Sequence, residues 1–286
     1  MHHFAYARPR SLSEAFALLE EHGSGARVLA GGTDLTVGLR DGTITPEIVV
    51  DVKRVAEMSP SIEERDGRLV IGANAVMARV TENATVRALY PALAEAAAKV
   101  GSIQIRNRAT VAGNICHASP GADTPPVLLV YGADVVIASR AGGRRVALDG
   151  FFAGPGQTVL QPGELVTAIE LPPGTERRGV SFMRLTRRRG VDLATVNVCC
   201  GVMESGRTLL ACGAVGPRPF MVADESGVLA DPAATDAAKD EVLRPLLTAA
   251  APISDVRASR DYREAMLLVL SRRALRTSIE RLAATA

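Results

Sequence analysis

The sequence predicts an α+β protein built in two parts, joined near residue 174 of 286. Three observations lead there. Strand-length apolar runs alternate with helix-length patterns as far as residues 165–171. Pro172-Pro173-Gly174 then interrupts the chain, and such a run fits neither a helix interior nor a central strand. Beyond it, period-two segments at 180–185, 194–203 and 208–215 precede helical patterns at about 232–249 and 261–284. The expected domains are therefore 1–174 and 175–286, the second carrying a three-stranded antiparallel sheet with helices.

The elements follow in order. Ser11 and Glu14 have capping-box spacing, Ala15, Leu18 and Leu19 continue at helical spacing, and Gly23 is a natural stop. A short strand at 27–30 runs into Gly31-Gly32 and then Thr33-Asp34-Leu35-Thr36-Val37, where Thr33 is placed to begin a short helix. Residues 47–52 read as a buried strand around Ile48, Val49 and Val50. Asp66-Gly67 between 61–65 and 68–71 is a two-residue hairpin signal. The pattern over 81–100 is helical, with Pro91 in the first turn of its second half. Strands at 133–138 and 144–148 are joined through Arg140-Ala141-Gly142-Gly143, and Gln161-Pro162-Gly163-Glu164 turns into a strand at 165–171.

Composition narrows the function. A formal net charge of +2, short scattered arginine pairs and no tryptophan argue against a nucleic-acid surface. The four cysteines (Cys116, Cys199, Cys200, Cys212) include no Cys-x-x-Cys pair, so zinc or iron–sulfur spacing is missing. Cys116-His117 is half of a metal site with nothing nearby to complete it. Buried free thiols, no signal-peptide h-region and no membrane-length apolar run give a cytoplasmic expectation.

Two stretches read as ligand loops. In the first, Gly31-Gly32 after a strand exposes backbone N–H groups, and a helix start beside it favours phosphate. In the second, Thr110-Val111-Ala112-Gly113-Asn114 runs to Pro120, Gly121 and Asp123. It reads as backbone laid against a ligand and not as an element packing a core. Asp123 stands before Thr124-Pro125-Pro126 as the expected cap of a helix. A plain β-to-α turn and an ordinary loop are the competing readings of these two stretches. Gly23-Ser24-Gly25 precedes its strand, so it is no dinucleotide fingerprint, and Gly-Lys-Ser/Thr is absent.

Taken together, Ala30-Gly31-Gly32-Thr33-Asp34-Leu35 and the segment from Ile105-Arg106-Asn107-Arg108-Ala109 to Asn114, with Pro120 and Asp123, resemble the flavin-binding subunits of molybdenum hydroxylases. The resemblance covers essentially the whole chain, including Arg187-Arg188-Arg189-Gly190-Val191-Asp192. It implies a vanillyl-alcohol-oxidase (PCMH)-type FAD domain of two α/β subdomains, about 1–57 and 58–174, followed by the α+β domain. Non-covalent FAD is implied. Residues 30–37 would wrap its pyrophosphate and flavin side, 110–114 would supply a second backbone cradle, and Asp123 would hold ribose or adenine-side hydroxyls. Alignment by the resemblance adds Val100, a backbone contact at Val166, and Arg184. Leu29, Leu35 and Val111 are the expected apolar walls for the ring. Where the family usually has Gly-Gly-Asn this chain has Ala112-Gly113-Asn114, and the methyl of Ala112 is tolerable if φ there is negative.

The implied role is electron transfer from a [2Fe–2S] small subunit through FAD to NAD, a quinone or oxygen. A molybdopterin large subunit would oxidise the substrate, in a heterotrimer or its dimer. With no cysteine-bearing insertion, no iron–sulfur cluster is expected on this chain. No acid–base catalytic residue stands out. Two alternatives are a free-standing FAD-dependent oxidoreductase acting on a small substrate, and a non-catalytic scaffold.

Overall fold

The computed structural model describes residues 2–284. Its first layer is a parallel sheet in which β1 (Ala5–Ala7) and β2 (Ala26–Leu29) flank β3 (Ile48–Asp51). All four residues of β3 are buried: the apolar run Ile48-Val49-Val50 suits a strand covered on both faces, and Asp51 closes it. Between β1 and β2, α1 (Leu12–His22) buries Ala15, Phe16 and Leu19. Ser11 Oγ accepts from the Glu14 N–H at 3.2 Å, while the Glu14 carboxylate accepts from Arg10 N, one residue further back than a capping box predicts. Gly23, at φ +46°, ends the helix. α2 (Leu35–Asp41) connects β2 to β3. β1 was not expected: three residues, two of them exposed, carry no alternation to read.

The next unit begins with β4 (Ile62–Arg65) and β5 (Arg68–Gly72). Asp66 and Gly67 both take positive φ, 51° and 73°, as a two-residue primed turn demands. Six short helices follow: α3 (Met77–Glu82), α4 (Ala84–Leu89), α5 (Pro91–Lys99), α6 (Ile103–Arg106), α7 (Val111–His117) and α8 (Thr124–Val130). The helix expected over 81–100 is thus the end of one helix and two more. Asn83 Oδ1 caps α4 through Val86 N, and Pro91 pushes Tyr90 out of helical geometry. Then come β6 (Asp134–Ser139), β7 (Gly142–Ala147), a small hairpin of β8 (Phe152–Gly154) and β9 (Gln157–Thr158), and β10 (Leu165–Leu171). The five long strands form an antiparallel sheet in the order β4-β5-β10-β6-β7.

The last unit holds β11 (Arg178–Leu185), β12 (Val196–Met203), β13 (Thr208–Gly213) and β14 (Phe220–Asp224), paired antiparallel in that order, with α9 (Asp236–Leu247) and α10 (Arg260–Ala284). The sheet has four strands, not the expected three. Pro217 and Pro219 gave the approach to β14 the look of a loop, although the first strand residue lies just past them.

β12 shows how the two domains share one interior. Cys199 and Met203 lie in the core that continues through α5, α8 and the amino-terminal domain, whereas Val196, Val198, Cys200 and Val202 face the core under α10. A period of two along one strand therefore sends alternate side chains into two cores. α10 lies so close to β11 that a Cβ on Gly179 would stand 2.0 Å from the Ser278 carbonyl oxygen. Ser181 Oγ donates to Ala274 O at 2.8 Å and Ser278 Oγ to Cys200 O at 2.9 Å across the same seam. Among the described residues no helix is long and apolar enough to cross a membrane.

Candidate functional site

The first glycine loop leaves the carboxyl end of β2. Gly31 meets backbone: a Cβ there would stand 2.1 Å from the Arg108 carbonyl oxygen and 2.9 Å from Ala109 Cα. Gly32 takes φ +75°, a conformation side chains resist. Its carbonyl accepts from Thr36 N at 2.9 Å and Thr36 Oγ1 at 2.7 Å, which tethers the turn to α2. The N–H groups of Gly31, Gly32 and Thr33 have no partner among the described residues. Helix α2 begins at Leu35, two residues later than Thr33 would begin it, and Asp34 makes no side-chain cap.

The second loop differs from its expected form. From Val111 it is α7, with Thr110 as N-cap accepting from Gly113 N at 2.9 Å. Val111, Ala112 and Ile115 are buried in the main core, so this stretch does pack a core. The Val111 side chain therefore faces inward and forms no wall for a ring; only its backbone is available to a ligand. Ala112 is not at positive φ, and its methyl is buried. The departure from glycine is thus absorbed by the helix. Ala112→Gly is expected to cost about 1 kcal/mol in urea unfolding, the ordinary helix penalty, while leaving the flavin-to-protein ratio unchanged.

Because Gly31 lies against Arg108 and Ala109, the two loops are in contact immediately before the amino end of α7. The line continues through Asn114, whose Oδ1 accepts from Thr124 Oγ1 at 2.7 Å, to Asp123. The expectation that Asp123 caps α8 is not met: it makes no cap bond, and its carboxylate is engaged elsewhere. One oxygen accepts from Arg184 Nη1 at 2.9 Å and the other from Asn197 Nδ2 at 3.3 Å. Arg184, in β11, also donates to Lys99 O at 2.6 Å and to Asp192 O. This brings Val100, at the end of α5, into the same cluster, where its carbonyl accepts from Arg106 at 3.1 Å.

Burial pushes the Asp123 carboxyl up to about 6, against the opposing pull of Arg184, Asn197 and Lys99. Three buried polar atoms here, Arg184 Nε, Asn197 Oδ1 and Asp192 Oδ2, make no hydrogen bond, although Arg188 Nε stands 4.0 Å from Asp192 Oδ2. Unpaired buried polar groups are costly, and these three belong to the network around Asp123. Leu29 and Leu35 are half-buried and Val37 is 44% exposed, so apolar surface borders the first loop. Val166 is buried in β10 at a bulge between Val166 and Ala168, on the strand against which α7 packs. Sequence reasoning missed Asn197, Lys99 and Asp192. Asn197 carried a usable signal, a lone amide inside the apolar run of β12. Cys116 is half-buried, its thiol pushed up to about 12 by burial; Cys199, Cys200 and Cys212 are buried free thiols.

A nucleotide with a diphosphate and a flat ring fits these groups: unpartnered N–H donors on a turn, a helix start in contact with it, and a buried acid–base pair. The comparisons with known proteins agree. The family described as "FAD binding domain in molybdopterin dehydrogenase" matches residues 2–174, and "CO dehydrogenase flavoprotein C-terminal domain" matches 181–278. The chain is 33% identical over 284 residues to the carbon monoxide dehydrogenase medium chain of Hydrogenophaga pseudoflava, covering 98% of each. It is 32% identical over 278 residues to the glyceraldehyde dehydrogenase medium chain of Sulfolobus acidocaldarius, covering 96% of this chain and 97% of the other. Among solved structures, carbon monoxide dehydrogenase from Hydrogenophaga pseudoflava superposes with a TM-score of 0.89 at 31% identity, over 97% of this chain and 98% of the other. Quinoline 2-oxidoreductase from Pseudomonas putida 86 gives 0.86 at 30%, over 97% of each. The chain belongs to the FAD-binding medium subunits of the molybdenum hydroxylase family.

Proposed function

We propose that this subunit carries electrons from [2Fe–2S] clusters of a small partner subunit to an external acceptor, for an assembly whose molybdopterin large subunit oxidises the substrate. The observation that supports the reading best is the contact of Gly31 with Arg108 and Ala109, which joins two loops 77 residues apart. Residues 1–174 form the cofactor domain in this reading and 175–286 the domain that closes over it. A bound FAD supplies the redox chemistry, accepting electrons singly and releasing them as a pair.

The chain's own residues bind and orient. The N–H groups of Gly31, Gly32 and Thr33 meet phosphate oxygens, and Ala30 and Asp34 hold the turn's two ends. Thr110, Val111, Ala112, Gly113 and Asn114 offer backbone from the other side. Asp123, steadied by Arg184, accepts from sugar hydroxyls, and Val166 contributes backbone. Leu29, Leu35, Val37 and Val100 border the ring and exclude water. The acceptor is NAD, a quinone or oxygen, the assembly is a heterotrimer or its dimer, and the buried free thiols suit the cytoplasm.

Purification of the chain with its partner subunits tests this. The expected preparation shows a flavin absorbance spectrum, with about one FAD per chain released by acid precipitation, as non-covalent binding requires. A preparation that retains no flavin after FAD is added and the excess removed would sink the proposal.

A further inference from the structure

Strands β2 and β3 are parallel neighbours, with Leu29 opposite Asp51, so their carboxyl ends leave the sheet side by side. The glycine turn follows one, and a short turn over Val52–Arg54 follows the other. Asp51 is 1% exposed. It accepts from the Lys53 N–H at 3.1 Å, from Tyr6 Oη and from Lys53 Nζ at 2.7 Å, and Arg8 Nε stands 3.7 Å away. Burial alone would raise this carboxyl, but the hydrogen bonds from Lys53 and Tyr6 outweigh it and hold it below the usual range. The Lys53 ammonium also reaches to 3.4 Å of the Ala30 carbonyl, the residue before Gly31.

An ammonium has three hydrogens, and the third has no partner among the described residues. The bland reading is a structural ion pair. Two features go beyond it. Asp51 is already served by Tyr6, Arg8 and a backbone N–H, and one carboxylate against Arg8 and Lys53 leaves the group with a net positive charge. The ammonium also stands 3.4 Å from the carbonyl of Ala30, the residue that leads into the unpartnered N–H groups of Gly31, Gly32 and Thr33, on a side chain 33% exposed. We propose that Lys53, positioned by Asp51, is a binding residue that supplies the counter-charge for the diphosphate of the bound nucleotide. This rests on the FAD reading above. It adds a point charge to a cradle otherwise made of backbone dipoles.

The test uses the whole assembly, stripped of flavin and titrated with FAD, following the quenching of flavin fluorescence. K53Q is expected to weaken FAD binding about tenfold at about 50 mM salt, and the gap should narrow at about 500 mM, where screening shortens the reach of the charge. K53R should stay within about threefold of the native chain, since it keeps the charge. Equal affinity of K53Q and the native chain overturns the proposal. So does a loss that ignores salt and is shared by K53R, or a K53Q chain that fails to assemble, because each would make the pair structural. A native assembly that takes up no FAD would instead overturn the FAD reading itself.

Discussion

Gly31→Ala is expected to lower flavin retention by more than tenfold and to destabilise the fold by about 3 kcal/mol. The cause is steric and local. The added methyl would stand 2.1 Å from the Arg108 carbonyl oxygen, 2.8 Å from its carbon and 2.9 Å from Ala109 Cα. All three atoms are backbone, so no side chain can swing away. Gly31 is not at positive φ, so alanine could adopt its conformation and the whole effect comes from the neighbour. The loops must part, and the turn's N–H groups then move away from the start of α7. Flavin-to-protein ratio and urea midpoint read the two consequences. Gly31→Ala chains with native flavin content would show that the contact between the loops is not part of the cofactor site.

The relation between sequence and structure explains why this glycine mattered more than its surroundings suggested. Features set by short-range chemistry were legible: the Asp66-Gly67 turn, the cap at Ser11, the strand at Leu165–Leu171 and the glycine pair after β2. Features set by distant partners were not. The helical pattern over 81–100 is an intermediate case: Pro91 marks the start of its second half, whereas the cap at Asn83 is hidden by periodicity that runs across it. β14 is fixed by pairing with β13, and the prolines before it hid it. In the site, Thr110 read as a polar loop residue because a cap and a ligand-facing threonine look alike without the backbone. Asp123 read as a cap for the same reason, and the guanidinium that occupies it comes from a strand 61 residues away. Residue types were therefore informative about the site, and their partners were not.

That partnership gives the second large effect. Arg184 and Asp123 expose only 8% and 9% of their side chains, and Arg184 binds α5, the approach to α8 and the segment after β11 at once. Asp123→Ala leaves the guanidinium buried without its counter-charge, and a loss of about 3–5 kcal/mol is expected. Asp123→Asn is the finer probe. It keeps the shape but turns one acceptor into a donor beside Asn197 Nδ2, which already donates to Ala122 O at 3.0 Å. Its expected cost is about 1–3 kcal/mol, with a flavin affinity reduced at least tenfold.

The pH dependence separates the two roles of this carboxyl. A carboxyl raised by burial stabilises the fold in its protonated form. That contribution is complete below the ordinary value of 3.8 and is lost as the pH rises through about 6. Flavin binding should run the other way, because the charged carboxylate is the stronger acceptor for a sugar hydroxyl and pairs with Arg184, so affinity rises as the pH passes about 6. Opposite slopes in thermal stability and flavin affinity over one pH interval, both removed by Asp123→Asn, are the expected signature. A flavin affinity that Asp123→Asn leaves unchanged in size and slope would reduce Asp123 to an element of domain packing, and the ligand's hydroxyls would have to be held by other groups.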